Sequence, residues 1–347
     1  MILQKIVLHN FRNRDSQIFE LSTDLTVFLG ENAKGKTNLL ESVFFLINGQ
    51  GFREVKEEEL IRIGEIDCRV EGRFDIQDRH LDFKIYLKKI NGAVEKTYFV
   101  DRAKKKHFQY KENQTKAILF APEHIEIITG PPDMRRTYFN KIISYYDVEY
   151  KKRLVNLESA LRRRNKVLEH GKSDTQLREE LGFWDTYITK QASYITGKRE
   201  EYINYLNKHS KLDHKAFYIN YLKNEATLSR FTEMFEEEKR WRRTLIGPQK
   251  DEFQIIVTND MDKNIHHYGS RSEQRLAVFW LKLNEITYHE DLYHKKPILL
   301  LDDIFSEFDR NNKKLIIGLI KKYQTILTTT EKEVMDLINI PKKVIKV

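Results

Sequence analysis

The sequence predicts an α/β fold in which a mixed β-sheet domain, built from both ends of the chain, is interrupted by an inserted arm of antiparallel helices. Alternating and apolar runs typical of strands fill the first third of the chain and return after Gly247-Pro248. Between residues 133 and 240 there is almost no strand pattern, and leucines recur at helical spacing among many charges. We therefore expect a head of residues 1–122 and 241–347 and a helical arm of residues 123–240.

The elements follow from short local patterns. Strands are predicted, from alternation or apolar character, at residues 2–8, 25–29, 68–75, 81–88, 96–101, 253–257, 298–301 and 324–328. Helical spacing predicts helices at about 154–168, 175–209, 272–289 and 310–322. Asn91-Gly92 is typical of a hairpin turn, and Gly171-Lys172-Ser173-Asp174 is typical of a helix stop followed by a cap.

A complete phosphate-binding motif, G-x-x-x-x-G-K-T, follows the predicted strand at 25–29 and leads into a helical pattern. Its residues are Gly30, Glu31, Asn32, Ala33, Lys34, Gly35, Lys36 and Thr37. Glycines let the backbone N–H groups curl around an anion, and the start of the helix adds its positive dipole end. We expect Lys36 to reach the β- and γ-phosphates of ATP and Thr37 to bind Mg²⁺. The alternative is a glycine turn before a helix with a chance lysine.

The apolar strand at 298–301 ends in Asp302 and Asp303, the pattern of a Walker B motif. We expect Asp302 to hold Mg²⁺ with Thr37 and Asp303 to polarise the attacking water. An aspartate reaches less far than the glutamate common at that position, which is consistent with slow hydrolysis. The alternative is a strand capped by an acidic turn. Residues 306–309 follow where a D-loop would lie.

The segment Gly269 to Arg275 opens the predicted helix at 272–289. A serine and free N–H groups at a helix start can bind phosphate, which makes Ser270 and Arg271 candidate ligands for ATP held by a second subunit. ATP would then join two heads into a homodimer. Taken alone, the segment is only a helix cap.

Composition favours a polyanionic partner, because the formal net charge is +9 and the pI is about 9.2. Candidate DNA contacts lie in basic runs at Lys104, Lys105, Arg135, Arg136 and Arg163, although most such runs are simply solvated faces. No pattern for base readout is present. The single cysteine excludes a disulfide framework and fits a reducing cytoplasm, and no apolar run is long enough for a membrane span.

The chain resembles the RecF family of bacterial recombination-repair ATPases, of the ABC/SMC class, along essentially its whole length. The resemblance rests on an ordered series of short motifs: Leu8-His9-Asn10-Phe11-Arg12-Asn13, Phe120-Ala121-Pro122-Glu123-His124-Ile125, Gly130-Pro131-Pro132-Asp133-Met134-Arg135-Arg136, Leu161-Arg162-Arg163-Arg164-Asn165, Phe183-Trp184-Asp185, Leu245-Ile246-Gly247-Pro248-Gln249-Lys250-Asp251, the segment 300–309 and Thr328-Thr329-Thr330. The resemblance implies an ABC/SMC-type ATPase head with an inserted helical arm. It also implies ATP-dependent binding to gapped DNA and single-strand/double-strand junctions, ATP-driven dimerisation, weak ATPase activity, and RecR and RecO as partners in loading RecA.

The sequence departs from the family pattern at the signature segment, where Ser272 replaces a glycine and Glu273 replaces a glutamine. A carboxylate 4 Å from a γ-phosphate would repel it by about 1–4 kcal/mol, depending on screening. Arg271 and Arg275 are the side chains expected to offset this. Two alternatives therefore stay open: an ATP-switched SMC-like dimerisation module without significant hydrolysis, and an ABC-type ATPase subunit of another complex.

Overall fold

The computed structural model describes residues 1–53, 56–76, 79–112, 115–169, 173–212, 214–258, 262–307, 310–330 and 339–347. Its strands are β1 Ile2–Phe11, β2 Arg14–Glu20, β3 Leu25–Leu29, β4 Asp67–Ile76, β5 Arg79–Ile90, β6 Ala93–Val100, β7 Ala103–Lys105, β8 Ala117–Phe120, β9 Lys211–Leu212, β10 Lys215–Leu222, β11 Glu252–Thr258, β12 Asp262–Asn264, β13 Ile298–Asp302, β14 Thr325–Thr329 and β15 Lys342–Lys346. Its helices are α1 Lys36–Asn48, α2 His107–Glu112, α3 Glu126–Thr129, α4 Pro132–Tyr146, α5 Val148–Glu169, α6 Asp174–Lys208, α7 Leu228–Glu233, α8 Phe235–Trp241, α9 Ile265–Tyr268, α10 Arg271–Tyr293 and α11 Arg310–Ile320. Among these described helices, none has the length and apolarity that crossing a membrane requires.

The chain divides into two compact units, one of residues 1–123 and 285–347 and one of residues 124–284. The predicted arm of 123–240 shares its first boundary with the second unit to within one residue. The segment 241–284 groups with the helical unit because β11 pairs antiparallel with β10 along seven residues. A segment expected in the head thus shares a sheet with a strand of the arm.

The first unit contains a five-stranded sheet in the order β15-β3-β14-β13-β8, and every neighbouring pair in it is parallel. The strand β13 is buried at all of its residues, as the apolar run at 298–301 predicted. Helix α1 packs on β8, β13 and β14. Because the strands are parallel, the carboxyl ends of β3, β14 and β13 lie side by side at one edge.

The first unit also contains an antiparallel sheet in the order β2-β1-β4-β5-β6-β7. The predicted mixed core is therefore two sheets, one parallel and one antiparallel. The hairpin turn between β5 and β6 is confirmed, since Asn91 and Gly92 both have positive φ, at 50° and 80°. At Gly72 on β4, an added Cβ would lie 2.4 Å from a methyl carbon of Leu46 on α1, so a side chain there would force the buried Leu46 side chain to shift.

In the second unit, α5 and α6 form the predicted pair of long helices. Ser173 caps α6, because its side chain accepts a hydrogen bond from the Gln176 N–H, whereas Gly171-Lys172 lies outside the described residues. The expectation of almost no strand before residue 240 is wrong at β9 and β10. On β10 only Phe217 and Ile219 are fully buried, and so short an alternation is easily missed beside long helices.

Two buried arginines connect elements of the second unit. The Arg164 guanidinium contacts the carboxylates of Asp185 and Glu238, each at 2.7 Å. The Arg199 guanidinium lies 2.5 Å from the Asp251 carboxylate and donates to the Tyr150 hydroxyl at 3.1 Å. These pairs give a structural role to Arg164, Asp185 and Asp251, which lie in three of the family motifs.

Candidate nucleotide site and signature helix

The phosphate-binding loop begins after β3 and ends where α1 begins at Lys36. Ala33 and Gly35 adopt left-handed backbone with φ of 64° and 79°. The positive φ at Gly35 favours glycine, and an added Cβ would also lie 2.7 Å from the side-chain amide nitrogen of Asn13, which would have to move. Lys36 is 8% exposed, and its ammonium donates to the carbonyl oxygens of Gly30 and Glu31 at 2.8 Å each. The loop thus holds the lysine ammonium beside its own backbone.

Asp302 at the end of β13 accepts two hydroxyl hydrogen bonds on one carboxylate oxygen. Thr37 Oγ1 donates at 3.1 Å and Thr328 Oγ1 donates at 2.6 Å. Burial raises the pKa of Asp302, and the two hydroxyl donors oppose that rise. The hydroxyl of Thr37 and the carboxylate of Asp302 are the hard oxygen ligands that Mg²⁺ prefers. The two residues predicted to hold the metal are therefore in direct contact.

The backbone turns sharply at Asp303, which has a positive φ of 45°. Its N–H donates to the carbonyl and hydroxyl oxygens of Thr328 at 3.2 and 3.1 Å. Ser306 Oγ donates to the Asp303 carbonyl at 2.7 Å. These contacts fix the backbone direction at Asp303, while its role toward water stays a prediction. Of the expected D-loop, Phe308 and Asp309 lie outside the described residues.

Thr328 was not among the site residues predicted from the sequence. Thr328 lies at the end of β14, between β3 and β13, and contacts both acidic residues of the Walker B segment. Glu123, which follows β8, was also missed, and its charge contributes to the raised pKa of Asp302. A signal was present in both cases: polar residues at or shortly after the carboxyl ends of apolar strands meet at one edge of a parallel sheet.

The hairpin tip between β1 and β2 lies against the phosphate-binding loop. The Arg14 guanidinium donates to the Lys34 carbonyl, and its Nε is buried without a hydrogen-bond partner among the described residues. Burial lowers the pKa of Arg14. Arg12 forms a two-pronged ion pair with the fully buried carboxylate of Glu41 on α1, at 2.7 and 2.9 Å. This pair ties the hairpin to the helix that begins at the loop.

The residues present fit a nucleoside triphosphate with Mg²⁺. The loop has left-handed positions at Ala33 and Gly35, the conformation in which successive N–H groups can turn toward an anion, and Lys36 is held beside it. The buried, unpaired Nε of Arg14 is a donor suited to an anion. Thr37 and Asp302 supply oxygen ligands for a divalent cation.

At the signature segment, Ser270 and Glu273 form a reciprocal cap on α10. The Ser270 N–H donates to the Glu273 carboxylate at 2.8 Å, and the Glu273 N–H donates to Ser270 Oγ at 3.3 Å. Burial raises the pKa of Glu273, but the Ser270 N–H and the ammonium groups of Lys215 and Lys263 outweigh it and lower the pKa to about 2. Two lysines are therefore paired with the Glu273 carboxylate. Arg271 is exposed.

The candidate DNA contacts differ in exposure. Lys104 and Arg163 are exposed, and Lys105 is half-buried. Arg136 donates to the Asp251 carbonyl at 2.8 Å. Arg135 is 5% exposed and forms a two-pronged ion pair with Glu252 at 2.7 and 2.9 Å, so its guanidinium is engaged within the protein.

Comparison with known proteins gives one consistent result. Residues 2–347 match the model of the RecF/RecN/SMC N-terminal domain family. A DNA replication and repair protein RecF from Clostridium botulinum (strain 657 / Type Ba4) is 29% identical over 353 residues, which cover 97% of this chain and 94% of the relative. A solved structure of the recombination mediator protein RecF-ATPrS in the RecFOR pathway is 29% identical, with a TM-score of 0.82 over 95% of this chain and 92% of that chain.

A more distant structure supports the fold alone. The Smc head bound to the C-terminal winged-helix domain of ScpA is 15% identical, with a TM-score of 0.54. The family match over nearly the whole chain agrees with the ABC/SMC-type head and helical arm that the sequence predicted. With the loop, the Walker B aspartate and the signature helix all present, the chain belongs to the RecF/RecN/SMC N-terminal domain family, as a divergent relative of RecF.

Proposed function

We propose that this protein is an ATP-dependent DNA-binding protein of recombinational gap repair and replication-fork maintenance. The contact of Thr37 and Thr328 with Asp302, beside the loop that holds Lys36, carries the proposal. It is supported by relatives described as DNA replication and repair proteins and by the similarity to solved RecF structures with ATPrS and with ATP. In this proposal the protein acts in the cytoplasm, with RecR- and RecO-type mediators, and promotes recombinase loading.

Each residue of the site has a defined task in the proposed reaction. Lys36 and the loop N–H groups bind the phosphates, while Thr37 and Asp302 hold Mg²⁺. When bound, the metal neutralises charge on the phosphates. The Thr328 hydroxyl orients Asp302 by donating a hydrogen bond to its carboxylate, and it orients Asp303 by accepting a hydrogen bond from its N–H. Asp303 then orients water for slow hydrolysis, and Ser270 and Arg271 meet the triphosphate held by a second copy.

DNA is bound through phosphates in the proposed function. The exposed side chains of Lys104 and Arg163 are the contacts that we retain, and the paired, buried Arg135 is left out. Gapped DNA and single-strand/double-strand junctions are the proposed targets. Such contacts produce sequence-independent binding that weakens steeply with salt.

A second candidate is an ATP-switched dimerisation module without significant hydrolysis. The observation that favours it is Asp303, whose short side chain stands on a left-handed backbone position. Turnover by the wild type, compared with Asp303→Asn, separates the two. A slow wild-type rate that the variant lowers at least tenfold supports an ATPase, whereas equal background rates favour the switch. An ABC-type subunit of another complex would also close on ATP but would not bind gapped DNA, so DNA binding separates it from the proposed function.

The primary test is mass by light scattering with Mg²⁺-ATP and gapped DNA, on wild type, Lys36→Ala and Ser270→Arg. We expect ATP to double the mass of the wild type, and both variants to remain single chains. Lys36→Ala should also lose ATP binding, whereas Ser270→Arg should keep it, because only the former residue lies at the phosphate-binding loop. A wild type that binds ATP and stays a single chain would contradict the dimerisation.

A further inference from the structure

The carboxylate of Glu273 is contacted by three donors of the second unit, two from strands and one from the residue that precedes α10. Lys215 at the start of β10 and Lys263 on β12 each place an ammonium nitrogen 3.0 Å from it. The Ser270 N–H is the third donor, at 2.8 Å. Glu273 is 12% exposed, so these contacts are partly shielded from solvent.

The helix cap alone does not require this arrangement. A capping box works equally with glutamate or glutamine at its fourth position. The strands β12 and β10 lie on either side of β11, and each contributes a lysine to the same carboxylate. The lysines therefore add charge compensation that a glutamine cap would not need.

The net charge of this cluster affects whether the start of α10 attracts or repels an anion. Glu273 alone would present one negative charge beside Ser270, at the position expected to face a triphosphate. With Lys215 and Lys263 the cluster carries one net positive charge. The positive end of the α10 dipole acts in the same direction.

We propose that Lys215 and Lys263 are positioning residues for the ATP-dependent dimer, because they neutralise Glu273 and leave the signature segment attractive to the triphosphate on a second copy. This inference rests on the proposed function. Two lysines outside the signature segment would thus cancel the repulsion that Glu273 alone would exert on the triphosphate. The lysines act through Glu273 and Ser270 and are not catalytic residues.

The test is a charge series measured as the dissociation constant of the ATP-dependent dimer. Lys215→Met with Lys263→Met leaves the carboxylate uncompensated, and we expect dimerisation weaker by about tenfold or more. Adding Glu273→Gln removes the negative charge, retains the cap, and should restore dimerisation to within about threefold of wild type. The matched control is Lys198→Met with Lys239→Met, two lysines of the same unit paired with other carboxylates, which should match wild type.

Two further measurements distinguish a loss of charge compensation from a general disruption of the fold. ATP binding by single chains should be unchanged throughout the series, since the substituted residues lie outside the phosphate-binding loop. The deficit of the double variant should shrink in 1 M salt, where the screening length is about 3 Å. A double variant that dimerises like wild type, or a triple variant that stays as weak as the double, would overturn the inference. A wild type that binds ATP without dimerising would overturn the dimerisation of the proposed function and, with it, this inference.

Discussion

Thr328 shows how one hydroxyl can organise a site. It donates to Asp302 and accepts from the N–H of Asp303, so it connects the residues proposed for metal binding and for water orientation. Thr328→Val keeps the shape and removes a hydrogen bond to a charged group, which is worth about 1.5–3 kcal/mol. We expect Mg²⁺-dependent ATP affinity to fall at least tenfold in calorimetric titrations.

The matched control for Thr328 lies at the other end of β14. Thr325 is also fully buried, and its hydroxyl donates to the Tyr323 carbonyl at 2.9 Å. Thr325→Val loses a hydrogen bond of similar length far along the strand from Asp302. If both variants bind ATP equally, Thr328 has only a structural role.

Asp302 is expected to reduce the stability of the nucleotide-free protein. Burial raises its pKa in the folded state, so the unfolded chain releases the proton at a lower pH than the folded protein. Stability therefore falls as pH rises through that interval and stays lower at neutral pH. Asp302→Asn should raise Tm without ATP and abolish Mg²⁺-dependent ATP binding. A lower Tm for the variant would contradict this account.

At the scale of elements, two neighbouring arginines on α5 differ in burial, and we expect their replacement to change stability by different amounts. Arg164 is 1% exposed and meets Asp185 and the fully buried Glu238, whereas its neighbour Arg163 is exposed above the Trp184 ring. Arg164→Met leaves two carboxylates without their cation and should cost about 3–5 kcal/mol of unfolding free energy. Arg163→Met should cost about 1 kcal/mol or less in the same urea titration. Equal losses of unfolding free energy in the two variants would show that the ion pairs of Arg164 do not stabilise the arm.

The helix α10 carries a pH-dependent group, His289, beside the two residues that precede β8. Burial, and next the charge of Lys116, lower the pKa of His289 from 6.5 to about 4, with Glu285 acting in the opposite direction. Between these values the unfolded chain binds a proton that the folded protein does not. Stability should therefore decline as pH falls from 6.5 to about 4. Thermal unfolding across that range should show a smaller slope for His289→Gln, and an unchanged slope would contradict the assignment.

For the whole molecule, the salt dependence of DNA binding tests the proposed contacts. Each phosphate contact contributes about −0.9 to the slope of log affinity against log salt for duplex DNA. We expect Lys104→Ala and Arg163→Ala each to reduce the slope by about one unit with unchanged ATP affinity. Lys239→Ala, which removes a lysine paired with Asp174, is the control and should leave the slope as in the wild type.

Short-range sequence patterns were sufficient to predict several features of this protein. The phosphate-binding loop, the buried strand ending in Asp302 and the two long arm helices are each readable within a few dozen residues, because each depends on short-range geometry. The same applies to the hairpin at Asn91, where two residues with positive φ decide the turn. These features were determined by the sequence alone.

The tertiary structure decided what depends on partners distant along the chain. Thr37 and Asp302 are separated by 265 positions and meet only because β3, β14 and β13 are neighbouring parallel strands. The sequence showed Glu273 as a repulsive charge, and only the folded sheet brings Lys215 and Lys263 to it. Burial likewise separates Arg164 from Arg163, although both belong to one basic run. Electrostatic energies depend on distance and solvent exposure, which adjacency in sequence does not specify.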